Sequence, residues 1–354
     1  MQRTSILDCD THFTDHTPER WSQVARELSL RDPPEVIEVD GQLRLRIGEL
    51  VFPRPAGAGQ GNPSGLGHLI GPGEEADRAA FMAAQRISAA VLQPGFVGLS
   101  FQAVADPGAR AALAEAYNLL AARACAASAL DLRWAILISA EDPELSLAEI
   151  ARHAEDPRVV GAVVRPTART STARLGDAAL TPVLHALAER ELTLFVHGGT
   201  GCHQWSPLAD AYADYALTHA FGHMAEQMIA LTDLLTRPGG LPGALTVVLL
   251  ESGTAWIPSL LERLALHDRK LGTGTPSVVE RFRAHVAVAP APDERYAAWS
   301  CAELGRTNIL FGSDYPHWDS VRADDWFAAF GELCPPDVLR RNTLRFVPRL
   351  RDAA

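Results

Sequence analysis

Ser5-Ile6-Leu7-Asp8-Cys9-Asp10-Thr11-His12 is a short apolar run that finishes in side chains able to bind a cation. In extended chain, residues two apart share a face, so Asp10 and His12 can point at one ion. Three further runs finish the same way. Leu192–His197 ends in His197-Gly198-Gly199, Leu245–Glu251 in Glu251-Ser252-Gly253, and Ile309–Gly312 in Ser313-Asp314-Tyr315-Pro316-His317. One acid or imidazole at a strand end is ordinarily a cap or a hydrogen-bonded core residue. Four such ends in one chain point to a shared cation, because buried carboxylates need a cation or hydrogen-bond donors to offset their desolvation.

Working outward, Ile87–Gln93, Trp134–Ser139, Val159–Arg165 and His285–Ala289 read as four more strands, which with Ser5–Asp10 as the first makes eight. Ala111–Ser128, Leu180–Arg190, Ala216–Leu235 and Pro258–His267 carry apolar residues at spacings of three and four, as helices packed on a sheet do. Nearly continuous apolar strands alternating with helices indicate parallel strands buried on both faces. A doubly wound sheet fits that alternation as well. The expected fold is nevertheless an α/β (β/α)8 TIM-like barrel, because eight units suit 354 residues and the polar residues fall at the carboxyl ends of the strands. The chain is expected to be one barrel domain, 1–354. Its exception is Leu30–Glu75, rich in Pro and Gly with a hairpin-like segment Val36–Val51, read as an insertion after the first strand that folds over the mouth as a lid.

A net charge of −11, with no clustering of Lys and Arg, argues against a nucleic-acid partner. The five cysteines (Cys9, Cys125, Cys202, Cys301, Cys334) are scattered and form no C-x-x-C pair, so neither a disulfide framework nor a thiolate zinc site is expected. Met1 to Asp10 shows no signal peptide, and no run of 18 apolar residues occurs, so a cytoplasmic protein without a membrane span is expected. No phosphate-binding loop, dinucleotide fingerprint or G-x-S-x-G elbow is present.

These motifs together resemble the branch of the amidohydrolase superfamily that includes aminocarboxymuconate-semialdehyde decarboxylase and the resorcylate decarboxylases. The likeness runs nearly end to end, through Asp10-Thr11-His12, Arg78–Pro94 with Val91-Leu92-Gln93-Pro94, Ala116-Tyr117-Asn118, Gly161–Pro166, His197-Gly198-Gly199 and Gly312–His317. It implies Asp10, His12, His197 and Asp314 as metal ligands or groups beside the metal. One departure stands out: Glu251 occupies the sixth strand end, where the decarboxylases usually carry His. Glu251, Asp10 and Asp314 would then put three carboxylates around the site. Mixed oxygen and imidazole donors suit iron or manganese at least as well as zinc, and the crowded anions favour two ions.

Other histidines could serve such a centre. His223 shares a helix face with His219, four residues away. His223 joins the expected metal set of Asp10, His12, His197, His223, Glu251 and Asp314, and with Glu251 and Asp314 the expected catalytic residues. His219 is read as packing against the barrel, His317 as bracing Asp314 rather than binding the ion, and Asp8 as orienting a neighbour. His203 and His68 fall in loops near the mouth, whereas His153, His185 and His267 read as surface residues. The carboxylate-rich site also resembles the nonheme diiron monooxygenases of platensimycin-type natural-product pathways. That likeness implies an iron enzyme hydroxylating an acyl coenzyme A thioester with O2, narrowly the favoured expectation. The alternative is a metal-dependent hydrolase of an amide, ester or lactone, or a decarboxylase, the latter weakened by the missing sixth-strand His. The expected partner is a small-molecule substrate, and the assembly considered is a homodimer.

Overall fold

A computed structural model of the chain describes residues 5–15, 17–52, 74–167, 173–199, 212, 215–272 and 276–353. Strand β1 (Ile6–His12) and helix α1 (Pro18–Leu28) lead into a small antiparallel sheet of β2 (Glu35–Val39), β3 (Gln42–Ile47) and β4 (Leu50–Phe52). After α2 (Glu74–Gln85), strands and helices alternate. They are β5 (Ile87–Gln93) with α3 (Phe96–Ser100) and α4 (Pro107–Ala127), then β6 (Leu132–Leu137) with α5 (Pro143–His153). Next come β7 (Val159–Val164) with α6 (Thr181–Glu189), and β8 (Thr193–His197) with α7 (Tyr215–Thr236). The series continues with β9 (Val247–Leu250), α8 (Trp256–Leu271), α9 (Val278–His285), β10 (Val286–Val288) and α10 (Ala297–Leu304), and closes with α11 (Ala323–Phe330) and α12 (Pro336–Phe346).

The main sheet has seven parallel strands in the order β1-β5-β6-β7-β8-β9-β10, so each new strand is laid beside the last. Every residue of β1, β7, β8, β9 and β10 is buried. Inward side chains fill the barrel and outward ones lie under the helices, which is why Val159-Val160-Gly161-Ala162-Val163-Val164 carries no polar alternation. Helix starts are marked locally: Asp106 accepts from Ala109 N at the head of α4, and Ser277 with Glu280 forms a capping box on α9.

The expected eighth strand, Ile309–Gly312, differs from the others. It forms an isolated bridge at Ile309 with Val288, and Tyr315 forms another with Thr11. Its backbone nonetheless spans the gap: Leu310 N donates to Val288 O at 2.9 Å, and Cys9 N donates to Phe311 O at 2.9 Å. Ser313 N and Asp314 N then both turn to Asp10 O, at 3.1 and 2.7 Å, which breaks the ladder's alternation. The curled parallel sheet is therefore closed through an extended segment rather than a regular strand. This is the α/β barrel expected, with the seam at β1.

The hairpin-like Val36–Val51 is a three-stranded meander, β2-β3-β4. The Gly-rich part of the expected lid, 53–73, and His68 and His203 lie outside the described residues. Cys9, Cys125, Cys301 and Cys334 are buried free thiols, and Cys202 also lies outside the described residues. Among the described residues no helix is long and apolar enough to cross a membrane.

Candidate metal centre

β1 delivers Asp10 and His12, 2% and 1% exposed, to the carboxyl end of the barrel. Their one-residue spacing keeps both side chains on one face. His12 Nδ1 sits 2.6 Å from Pro94 O. A carbonyl can only accept, so Nδ1 carries the hydrogen and the neutral ring turns the lone pair of Nε2 toward the acids. His197, at the end of β8, repeats the arrangement, with Nδ1 2.6 Å from Gly198 O. The two Nε2 atoms are 3.2 Å apart.

Glu251 and Asp314 follow β9 and the extended 309–312 segment. Both have left-handed backbone, φ 49° and 55°. That conformation costs a non-glycine residue on the order of 1–3 kcal/mol and persists where the surroundings enforce it. Here it turns the carboxylates inward. Glu251 Oε1 lies 2.9 Å from His12 Nε2 and 3.3 Å from His197 Nε2, and Asp314 Oδ1 lies 3.1 Å from His12 Nε2. Close approach of the seam depends on Gly312, because a Cβ there would sit 2.8 Å from Asp10 Cβ. Arg78 of α2, 3% exposed, holds the end of β1 from the side: it donates to Thr11 Oγ1 and to His12 O, each at 2.6 Å, and stacks on Tyr315.

Among the described residues two donor groups emerge, each with its atoms within 4.8 Å of one another. One is Asp10, His12, His197 and Glu251; the other is His12, Glu251, Asp314 and His317. His317, read from sequence as a brace, lies 2.6 Å from Asp314 Oδ1 and 3.6 Å from Glu251 Oε1 through Nδ1, so it belongs to the donor cluster itself. His223 stands in neither group. Its Nδ1 faces the Glu251 carbonyl at 2.8 Å and lies 3.9 Å from Glu251 Oε2, while its ring lines the cavity above. His219 also lines that cavity, 3.8 Å from Asp319, rather than packing against the barrel. His185 and His267 are exposed as expected, but His153 packs edge-on against Trp134.

Electrostatics show a cluster short of positive charge. Burial works against the His197 cation, yet Glu251 and Asp10 outweigh it and raise the pKa well above the ordinary value. His12 and His317 are raised in the same way by the carboxylates around them, against their burial. Glu251 is held well below the usual carboxylate range, burial being overcome by His197, His12 and His317. Asp314 goes the other way, pushed up to about 7 by burial and then by the charge of Glu251. Asp10 Oδ1 is buried and has no hydrogen-bond partner among the described residues. A divalent cation fits this set: it would satisfy that orphaned oxygen and replace the protons the acids draw onto the imidazoles. Oxygen and imidazole donors together suit manganese, iron or zinc.

Above the cluster opens a cavity of about 520 Å³, with Trp256, Trp318 and Met224 among its walls. Phe96 lies between the insertion and the donor cluster, its ring 4.5 Å from that of Phe52 on β4 and 6.1 Å from that of His317.

The comparisons with known proteins agree with this architecture. An amidohydrolase from Mycobacterium avium subsp. paratuberculosis K-10 superposes with a TM-score of 0.71 at 19% identity, covering 98% of both chains. The 5-carboxyvanillate decarboxylase of Sphingomonas paucimobilis gives 0.66 at 21% identity, covering 98% of this chain and 99% of that one. The Novosphingobium aromaticivorans enzyme of the same name, solved with manganese, gives 0.62 at 17% identity over 98% and 96%. At such identities the likeness is one of fold. Among curated protein sequences none matches. A family model described as amidohydrolase matches residues 7–345, nearly the whole barrel with all six clustered side chains, and the chain belongs to that family.

Proposed function

We propose that the protein is a metal-dependent hydrolase acting on a small carbonyl compound, an amide, ester or lactone, that is uncharged or positively charged. The observation that carries this reading is the pair of donor groups sharing Glu251 on the floor of an acidic cavity. A neutral imidazole nitrogen has one lone pair whereas a carboxylate can bridge. With two ions bound, Glu251 would be shared, with Asp10, His12 and His197 on one side and Asp314 and His317 on the other. Such ions lower the pKa of bound water and polarise a carbonyl. Asp314, at the edge of the cluster, would be the carboxylate that takes the proton of the attacking water. His223 lines the cavity beside Glu251 and would steady the substrate carbonyl or its leaving group.

Charge separates this reading from its rivals. Asp10, Glu251, Asp293, Glu294, Asp314 and Asp319 line the cavity, and no Lys or Arg does among the described residues. An anionic substrate would meet repulsion beyond the ions themselves. Decarboxylation stays as a second reading because fold relatives, one solved with manganese, are decarboxylases. Against it stands Glu251, a carboxylate held ionised by the imidazoles around it where a proton donor is wanted. The diiron oxygenase expected from sequence rests on the same donor set, and the fold relatives add nothing to it.

Protein loaded separately with manganese, iron and zinc should be given neutral, amine-bearing and benzoate-type substrates in ¹⁸O-labelled water. The expected product carries one oxygen from water. Release of CO2 without label would replace the proposal with decarboxylation, and label entering only from O2 would replace it with the oxygenase.

A further inference from the structure

We propose that Asp8 is a positioning residue: a single carboxylate oxygen sets the spacing between Asp10 and Asp314 across the barrel seam. Asp8 lies one turn of the pleat below Asp10 and is 1% exposed. Its Oδ1 accepts from Asp10 N at 3.1 Å and from Ser313 N at 2.9 Å, the second bond joining residues 305 apart in sequence. The seam needs such a device. From β1 round to β10 a parallel ladder fixes register, but at the seam, among the described residues, only the isolated Thr11–Tyr315 bridge and a few single bonds connect the strand ends.

The ligand-bearing residues on either side are also demanding. Asp314 holds a left-handed backbone, and Gly312 lets the segment approach until a Cβ would collide with that of Asp10. Ser313 Oγ adds a bond to Asp10 O at 3.1 Å, so the turn is gripped from both strands. A centre held by rigid second contacts keeps its donors at the separation an ion requires, and losing such contacts weakens metal binding. Removing the Asp8 acceptor would leave Asp10 N without the bond that fixes it and the Ser313 turn held through Asp10 O alone, loosening the spacing of the two carboxylates.

This inference rests on reading the cluster as a metal centre, and the test separates the two. Mn²⁺ is titrated into metal-free wild type, Asp8→Ala, Asp8→Asn and Ser313→Ala, with free Mn²⁺ followed by electron paramagnetic resonance. Absorption of the Co²⁺-loaded proteins and melting of the metal-free ones are recorded alongside. Asp8→Ala should bind Mn²⁺ about 10–100-fold more weakly, with a changed Co²⁺ spectrum. Asp8→Asn keeps a carbonyl acceptor and should stay close to wild type, as should Ser313→Ala, which keeps its backbone N–H. If Asp8→Ala does not fold, Asp8→Ser takes its place with the same expected loss, since its oxygen falls short of Ser313 N. Wild type that binds no divalent cation would overturn the metal centre. Wild type that binds, with an Asp8→Ala or Asp8→Ser variant equal to it in affinity and spectrum, would overturn the role of Asp8. So would an Asp8→Asn variant as impaired as Asp8→Ala, or a loss seen only in melting.

Discussion

At the scale of single residues, the centre is governed by which atom of each side chain is left to face the ion. His12 and His197 spend Nδ1–H on the Pro94 and Gly198 carbonyls, so Nε2 is presented without any choice of tautomer. His197→Ala should therefore remove metal and activity while the chain stays folded, because packing rests on the apolar layers rather than on this ring. Metal content and circular dichroism of the purified variant check both halves. Glu251→Gln keeps the shape and deletes the charge that both donor groups share. Its metal affinity should fall by at least about tenfold, with turnover falling alongside. A variant that kept its metal and lost only turnover would make Glu251 a base and not a ligand. Asp10, His12, His197, Glu251 and Asp314 were legible in the sequence because each stands at the end of an apolar run. His317 was not: it follows Asp314 by three residues on an irregular turn, where neither the period of a strand nor that of a helix says which way a ring points. Arg78 gave no signal either, since a buried arginine on a helix looks in sequence like any surface one.

Among the elements, the insertion after β1 is the one we propose to bear on substrate. β4 ends in Phe52, whose ring meets Phe96, and Phe96 faces His317. A segment that contacts substrate and not the donors would affect KM alone. Deleting 57–73 should raise KM roughly tenfold, about 1.4 kcal/mol of binding, while Mn²⁺ affinity stays near that of the intact chain. Unchanged steady-state parameters would show that the segment covers nothing. The seven ladder strands could be placed from sequence to within a few residues, because a buried parallel strand is a dense apolar run. Apolar density reports burial and not pairing. Ile309–Gly312 is as buried as its neighbours, yet two successive N–H groups, of Ser313 and Asp314, turn to one carbonyl, and a regular eighth strand does not form. The small antiparallel sheet was readable only as a hairpin, since β4 is three residues long and its partner register comes from tertiary contact.

Across the whole molecule, the balance of protons ties stability to metal. Asp8 and Asp314 are pushed up to about 7, in each case first by burial, and Asp15 to about 6 by its burial. The carboxylates raise His12, His197 and His317 against their own burial. All six bind protons more tightly folded than unfolded. The acids contribute stability that is fully present below their ordinary value of 3.8 and is lost as pH rises through about 6 to 7. The imidazoles contribute stability present below 6.5 and lost as pH climbs through their raised values. Glu251 has the opposite sign: its contribution is present above 4.5 and lost only as pH falls below that through its lowered value. The metal-free protein should thus be most stable at mildly acidic pH and weaken toward alkaline pH. A divalent cation takes the place of the protons on the imidazoles and on Asp314, so its binding releases protons and its stabilising effect grows with pH. Melting temperature measured from about pH 5.5 to about pH 8 should fall by several degrees in chelator and stay nearly level with Mn²⁺. A cation shift of the same size at every pH would mean that the ion binds somewhere other than this cluster of acids and imidazoles.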